Sequence, residues 1–320
     1  MFVSMAELCR GHRLMNDMTK APVLRRRRVS RRMLPYLLSL PALLTCIGIL
    51  VPFLTAVAYS LQRYRLSQPW ARKWNWGENY LNFMTDAAFW NTLKVSATYA
   101  FSTVICELLL GLGIALLLQR RTMINNAISI MLLMPLMTAP ALAALMWKLM
   151  TNPGFGIMSW LATQVGLENF RWASDPATAM LTVVIVDIWV YTPFIMILLL
   201  AGLRSLPQQP FEAATLDGVP RLFVFWRITL PMLTPFLLTA TLFRVIESIQ
   251  QFDIIYAMTQ GGPGNRLTVF QVEAYLNFFQ STNVGRSAAL MIILWAITYT
   301  LSNIFIKQWL RLREKSHAEA

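Results

Sequence analysis

The sequence predicts an all-α integral membrane protein with six transmembrane helices. Of its 320 residues, 56% are hydrophobic and only 13% are charged, and the mean hydropathy is +0.50, whereas about a quarter of the residues in a soluble domain are charged. A membrane helix needs about 20 mainly apolar residues to cross about 30 Å of hydrocarbon, because its backbone polar groups must be satisfied within the segment. The segments that meet this requirement are 34–60, 91–118, 127–150, 177–203, 231–256 and 287–309.

The first of these segments follows a block of arginines at 25–28 and 31–32. A secretory signal begins in a similar way, but its apolar core has only about 7–15 residues. The longer apolar run of 34–60 therefore predicts a retained span. We divide the chain into a basic tail (1–33), a transmembrane region (34–309) and a second tail (310–320), because no connecting segment is long enough for an independent domain.

The distribution of basic residues predicts the orientation of the spans. Six spans place both termini on one side, and most lysines and arginines fall in the two tails and in the loops of that side, which makes it the cytoplasmic side. The formal net charge of +13 is thus explained without nucleic acid as a partner. The outer stretch 61–76 departs from the rule, because it is locally basic. Tryptophans typical of a membrane interface lie on the outer side at Trp70, Trp74, Trp76, Trp90, Trp160 and Trp172.

The residues that carry most enzyme chemistry are poorly placed in this sequence. Cys9, Cys46 and Cys106 have no metal-ligand spacing and do not form an even set for disulfides. His12 and His317 both lie in the tails, so the spans offer no histidine for a metal site, a proton relay or a Ser/His/Asp set. We therefore expect no catalytic residues, no metal and no cofactor in this chain.

The loop 204–230, between the fourth and fifth predicted spans, contains signals for a short helix. Pro210 suits a first helical position, and Glu212 complements the positive end of the helix dipole. Gly218 is placed to end the helix in the left-handed conformation. We predict a compact helix followed by a glycine turn.

A second short helix is predicted to start at Pro220 and to end before Leu230-Pro231. It has an apolar face formed by Leu222, Phe223 and Trp226. A loop this apolar is typical of a surface that binds a partner. The alternative is a helix that rests on lipid headgroups.

The same loop carries the motif by which we identify a family. Glu212-Ala213-Ala214, three residues, Gly218, nine residues, Ile228, one residue and Leu230-Pro231 fill every fixed position of the EAA pattern. The chain thus resembles the membrane subunits of bacterial ABC importers, and a type I importer permease fold is what this resemblance implies. It also implies that the loop docks into a cleft on a separate ATP-hydrolysing subunit. In that interpretation Glu212 is the docking acidic residue, Ala213 and Ala214 form the close-packing surface, Gly218 forms the turn, and Asp217, Ile228, Leu230 and Pro231 complete the coupling site.

A second stretch is similar to the first of the two permeases of carbohydrate importers of the maltose and glycerol-phosphate type. It comprises Phe252-Asp253, the run Thr259-Gln260-Gly261-Gly262-Pro263, and Thr268. The resemblance implies a bacterial inner-membrane location. It also implies three kinds of protein partner besides membrane lipid: a second permease in a heterodimer, a dimer of ATP-binding subunits that holds ATP and Mg, and an extracytoplasmic solute-binding protein. The cargo would be a sugar, a polyol or a glycerol phosphate.

The run Gly261 to Gly264 is not a phosphate-binding loop, because no Lys-Ser/Thr follows it. We interpret it as a rigid turn at the outer mouth. The chain is therefore not expected to hydrolyse ATP by itself.

Ionisable residues within predicted spans are expensive and mark functional sites. Arg244, Glu247, Ser248 and Gln251 fall on one helical face at spacings of three, four and seven residues. One interpretation is a polar lining for a hydroxylated solute. The alternative is that Arg244 and Glu247 neutralise each other and seal a contact with the partner permease. Candidate residues of the substrate path are Asp187, Tyr191, Arg244, Glu247, Gln250, Gln251, Asp253 and Tyr256.

Glu107 lies beside Gly111 and Gly113, on a face of small residues, and we assign it a structural role.

The alternative function for the whole chain is a secondary transporter driven by an ion gradient, with Asp187, Arg244 and Glu247 as coupling charges. The loop 204–230 argues against it, since such a carrier needs no surface for an ATPase.

Overall fold

The computed structural model describes residues 34–167 and 169–318. The basic tail 1–33, with its arginine block, and the last two residues lie outside this part of the chain. The chain divides into two units, and the boundary falls inside the first helix, after Leu54.

The described part of the chain contains five helical segments that are long and apolar enough to cross a membrane. They correspond to the predicted spans 34–60, 91–118, 177–203, 231–256 and 287–309. The fourth is interrupted, because the helix ends at Ile249 and a new one starts at Asp253. The helices are α1 (Leu34–Ser60), α3 (Ala87–Leu118), α7 (Ala179–Ser205), α10 (Leu230–Ile249) with α11 (Asp253–Thr259), and α13 (Val284–Ala318).

The prediction of one continuous helix over 127–150 is wrong. The chain forms α4 (Met123–Leu132), a 3-10 turn (Pro135–Met137) and α5 (Pro140–Met150). The residue before a proline is driven out of the helical region, and Thr138 and Ala139 are both extended, with ψ of 146° and 129°. Neither helix is long enough to span a membrane alone.

Shorter elements connect these helices. A two-stranded antiparallel hairpin pairs Gln62 with Trp74 and Arg63 with Lys73. The remaining elements are β1 (Gln62–Arg63), β2 (Lys73–Trp74), α2 (Glu78–Thr85), α6 (Ile157–Gln164), α8 (Gln209–Leu216), α9 (Arg221–Val224), a π-helical turn (Phe225–Thr229), α12 (Phe270–Phe279), and 3-10 turns at Pro69–Ala71 and Trp172–Ser174.

Helix α7 lies in the core, between α3 and α10, and most of its side chains are buried. Two glycines allow this close approach. A Cβ on Gly111 of α3 would lie 2.7 Å from Ile195, and one on Gly202 of α7 would lie 2.6 Å from the Phe236 ring. The predicted packing role of small residues thus holds at Gly111, whereas Gly113 has no atom within 4 Å of such a Cβ. This three-helix core positions the charged residues described next.

Candidate functional site

A buried guanidinium joins the three helices of this core. Arg244 of α10 donates to both carboxylate oxygens of Glu107 of α3, at 2.5 Å from Nε and 2.8 Å from Nη2. Nη2 also donates to Asp187 Oδ2 of α7 at 2.7 Å. Nη1 donates to Glu247 Oε2, one turn further along α10, at 3.1 Å. Each nitrogen of Arg244 therefore has a carboxylate partner.

Neighbouring side chains complete this group. The Tyr191 ring lies 4.1 Å from the guanidinium carbon of Arg244, which is the geometry of a cation–π contact. Gln251 Nε2 donates to Asp187 Oδ1 at 2.9 Å, so both oxygens of Asp187 accept a hydrogen bond. We call Glu107, Asp187, Tyr191, Arg244, Glu247 and Gln251 the Arg244 cluster.

The cluster combines a sealed interior with one accessible edge. The side chains of Arg244, Glu107 and Asp187 are 0% exposed, whereas that of Glu247 is 50% exposed. Buried charges need such complete pairing, because removing one partner leaves an uncompensated charge in a medium of low dielectric constant. At the exposed edge the Glu247 carboxylate can accept hydrogen bonds from a hydroxylated solute.

The structure brings together five predicted substrate-path residues: Asp187, Tyr191, Arg244, Glu247 and Gln251. It also adds Glu107, to which a purely structural role had been assigned. The Arg244–Glu247 pair of the alternative interpretation exists, but it is the longest and most exposed of the ion pairs of Arg244. The Tyr99 hydroxyl, absent from the prediction, is buried and has no hydrogen-bond partner among the described residues.

Three other predicted residues lie outside the cluster. Gln250 is exposed and donates to Thr298 Oγ1 at 3.5 Å. Asp253 is exposed at the start of α11. Tyr256 stacks on Phe252, with ring centroids 4.9 Å apart. Gln250 lies at the end of α10, where the turn begins, and Asp253 and Tyr256 lie beyond that turn in α11.

The loop 204–230 forms the predicted helix and glycine turn. Helix α8 ends at Leu216, and Gly218 has a φ of 66°, in the left-handed region. Gly218 N donates to Thr215 O at 3.2 Å and Val219 N donates to Ala214 O at 3.0 Å. These two bonds define a Schellman motif, which satisfies carbonyls that the end of a helix otherwise leaves unpaired.

Helix α8 has an anchored face and a free face. Ala214 is buried, and Phe211 packs against the apolar core formed by α3, α7 and α10. Glu212 and Ala213 are exposed, and Leu216 is 89% exposed. The two alanines predicted to form one packing surface therefore point in different directions.

The prediction that the second short helix ends before Leu230-Pro231 is wrong. Helix α9 passes through the π-helical turn directly into α10. A proline ring clashes with the carbonyl four residues earlier in a regular helix, and the wider π turn lies just before Pro231, where it relieves that clash. The loop is thus continuous with the helix that carries Arg244. Leu222, Phe223 and Trp226 are 70%, 52% and 59% exposed, which fits both a face that binds a partner and a helix that rests on lipid headgroups.

Comparison with known proteins identifies the family. Residues 107–315 match the family of binding-protein-dependent transport system inner membrane components, and because this match covers more than half of the chain, the chain belongs to that family. The resemblance to the membrane subunits of ABC importers, which was inferred from the sequence motif, is confirmed.

Named relatives agree. The trehalose/maltose transport system permease protein MalF of Thermococcus litoralis is 34% identical over 229 residues, which cover 72% of this chain and 77% of the relative. The trehalose transport system permease protein SugA of Mycobacterium tuberculosis is 30% identical over 285 residues, 88% of this chain and 90% of the relative. The sulfoquinovosyl glycerol transport system permease protein SmoG of Agrobacterium fabrum is 30% identical over 230 residues, 72% of this chain and 75% of the relative.

A solved structure agrees in fold. The crystal structure of a bacterial ABC transporter involved in the import of the acidic polysaccharide alginate superposes with a TM-score of 0.76 at 17% identity, covering 93% of this chain and 99% of the other. The chain is a multi-pass membrane permease of an ABC importer for sugars. The alternative of an ion-driven carrier has no support.

Proposed function

We propose that this chain is one half of a heterodimeric pore, and that a dimer of ATP-binding subunits drives its alternating access. A solute-binding protein would deliver the cargo at the outer mouth. The names of the relatives, which refer to trehalose, maltose and sulfoquinovosyl glycerol, support a sugar or a related polyol as the cargo.

The proposed topology has six crossings of the bacterial inner membrane, with both termini in the cytoplasm. Helices α4 and α5 together make one crossing, because residues 123–150 have the length of a span although Pro135 and Pro140 interrupt it. The excess of lysine and arginine in the tails and in the loops of that side supports the orientation.

The observation that carries the proposed coupling is the construction of α8. Phe211 and Ala214 hold the helix against the membrane core, while Glu212, Ala213 and Leu216 face outward. After the turn at Gly218, α9 continues through the π-helical turn into α10 without a break. A displacement of α8 by a closing ATPase would be transmitted to α10 and, through Arg244, to α3 and α7. Rigid-body movement of packed helices is an established route for such transitions.

The Arg244 cluster is proposed as part of the substrate path. Glu247 offers an acceptor at the exposed edge, and Tyr191 lies beside the guanidinium. Sugar hydroxyls are hydrogen-bond donors that match a carboxylate. The buried carboxylates of Glu107 and Asp187 are fully occupied by Arg244 and Gln251, so they position the edge and do not bind cargo.

The proposal is tested by charge reversal in the two cytoplasmic loops. In Glu212→Lys, we expect co-purification of the ATP-binding subunits and ATP-driven sugar uptake to fall at least about tenfold, because the carboxylate makes a charge-assisted contact with the ATPase cleft. Arg121→Glu is the matched control, since Arg121 is an exposed charge on a different loop of the same side. If both variants bind the ATPase and transport like the wild type, the coupling role of α8 is excluded.

A further inference from the structure

The basic stretch 61–76 contradicts the usual distribution of charge, and the proposed function leaves it unexplained. The structure folds this stretch into the β1–β2 hairpin and ties it to two other elements. Asn79 Nδ2 of α2 donates to Ser60 O at 2.8 Å and to Gln62 O at 3.0 Å. Gly285 N, at the start of α13, donates to Tyr64 O at 3.1 Å.

The contact with α13 is close. A Cβ on Gly285 would lie 2.2 Å from Gln62 O, so only glycine fits there. Leu66 N also donates to Thr282 O at 2.8 Å. The hairpin that carries these basic residues is therefore fixed to α13 by backbone hydrogen bonds and is not a free loop.

The hairpin, α2 and the start of α13 line an open cavity of about 470 Å³. Its walls carry side chains that donate hydrogen bonds from the hairpin, from α2 and from the start of α13. The principal lining residues are Arg63, Arg65, Gln68, Asn82, Asn283 and Arg286. A cavity of this size takes a small ligand or a headgroup, and its lining fits a ligand that is rich in acceptor oxygens.

The charges around the cavity are unequal. Arg63 donates to Glu78 Oε1 at 2.8 Å. Arg286 hydrogen-bonds to Asp86, and this bond lowers the pKa of the Asp86 carboxyl from its ordinary value. Arg65 is exposed and has no carboxylate partner among the described residues. Of the three arginines that line the cavity, two are thus paired with carboxylates, and Arg65 leaves one positive charge in excess in this lining.

One excess positive charge matches the single negative charge of a phosphodiester, and arginine binds phosphate oxygens through several N–H groups at once. The same hairpin exposes Trp70 and Trp76, which are 82% and 88% accessible. Exposed tryptophans are typical of the level of the lipid headgroups. The cavity and these rings therefore point to the same environment.

We propose that this cavity binds the phosphate of an anionic phospholipid in the outer leaflet. The inference rests on the proposed function only through the topology, which places this end of the protein on the outer side. Arg65 supplies the unpaired charge, and the amides of Gln68 and Asn82 supply further donors. The site would fix the hairpin and α13 at the membrane surface.

The experiment uses the assembled importer in nanodiscs that contain phosphatidylglycerol in phosphatidylcholine. After mild delipidation, native mass spectrometry counts the phosphatidylglycerol retained per complex. We expect about a tenfold loss of retained lipid in Arg65→Ala, as for removal of one charge-assisted hydrogen bond in a confined site. Lys73→Ala is the matched control, since Lys73 is an exposed cation of the same hairpin that does not line the cavity, and it should retain lipid like the wild type.

Several results would overturn the proposal. Equal retention in Arg65→Ala and wild type, or equal loss in Lys73→Ala, would exclude a specific site. Retention of added inorganic phosphate in place of lipid would identify a free anion as the ligand. A loss of affinity for the solute-binding protein in Arg65→Ala, measured in nanodiscs of phosphatidylcholine alone, would assign the cavity to protein docking. Co-purification of the ATPase does not involve this cavity, so a failure of the lipid test leaves the proposed function standing.

Discussion

The Arg244 cluster and helix α8 are built in opposite ways. The cluster joins residues that are 57 and 137 positions apart in the sequence, and its central side chains have no exposure to solvent. Helix α8 is made by neighbours in sequence, and it exposes Glu212 and Ala213 of its motif while Ala214 is buried. The first joins three helices, and the second carries the exposed surface that we propose as the docking site for the ATPase.

This difference predicts where a substitution acts. A change in the cluster alters the folded membrane domain, because buried charges depend on one another. A change on the free face of α8 leaves the fold intact and alters an interaction. Three substitutions test this distinction.

The largest effect is expected for Arg244→Leu. This substitution leaves the Glu107 and Asp187 carboxylates buried without their cation, and breaking a buried pair in this way costs about 3–5 kcal/mol. We expect a large fall in the apparent melting temperature of the purified importer, measured by fluorescence during heating. We also expect a low yield of the importer from the membrane.

Arg244→Lys serves as the comparison for that variant. It keeps the charge but loses the fork that reaches both oxygens of Glu107, so it should lie between the wild type and Arg244→Leu. An Arg244→Leu importer that melts like the wild type would show that the cluster does not stabilise the three-helix core.

A smaller effect is expected for Gly218→Ala. The φ of 66° at Gly218 is a conformation that residues with a Cβ adopt at a cost of about 1 kcal/mol. The turn after α8 should be displaced, and the affinity for the ATP-binding subunits should fall about fivefold, as measured by titration of the ATPase onto the reconstituted permease.

Gly113→Ala is a matched control for the glycine substitution. Gly113 lies within α3, and a Cβ there would meet no atom within 4 Å, so its replacement should not lower the melting temperature and should leave the ATPase affinity unchanged. Normal ATPase affinity in Gly218→Ala would mean that the left-handed turn is dispensable for docking.

The same contrast explains what the sequence predicted. The helix and turn of the 204–230 loop followed from local signals, because a Schellman motif needs only residues that are adjacent in the chain. The apolar spans followed from hydropathy over lengths of about 20 residues. The spacing of Arg244 and Glu247 likewise predicted a shared helical face, and the two side chains are in contact on α10, whereas Gln251 follows the end of α10 and reaches the cluster from the turn.

The features that the sequence did not predict depend on contacts between residues far apart in the chain or on local backbone geometry. A structural role was predicted for Glu107 from its small neighbours, but its ion pair was not predicted, because its partner Arg244 lies 137 positions away. The breaks at Pro135 and Pro140 were hidden by continuous hydropathy, although the prolines themselves were a usable signal. The opposite error occurred at Pro231, where the π turn lets the helix continue.

The smallest effect on stability, and the sharpest test of the comparison, is expected for Glu247→Gln. Glu247 belongs to the cluster by contact, at 3.1 Å from Arg244, but its side chain is 50% exposed. Loss of such a partly exposed ion pair costs at most about 1 kcal/mol, and the buried partners of Arg244 remain. The melting temperature should therefore change little.

If the exposed edge contacts cargo, the rate of sugar uptake in proteoliposomes should fall several-fold while ATP-binding subunits and the loaded binding protein bind as before. Unchanged uptake would instead favour the interpretation in which the Arg244–Glu247 pair only seals a contact with the second permease, and the functional part of the cluster would have to be sought at Tyr191.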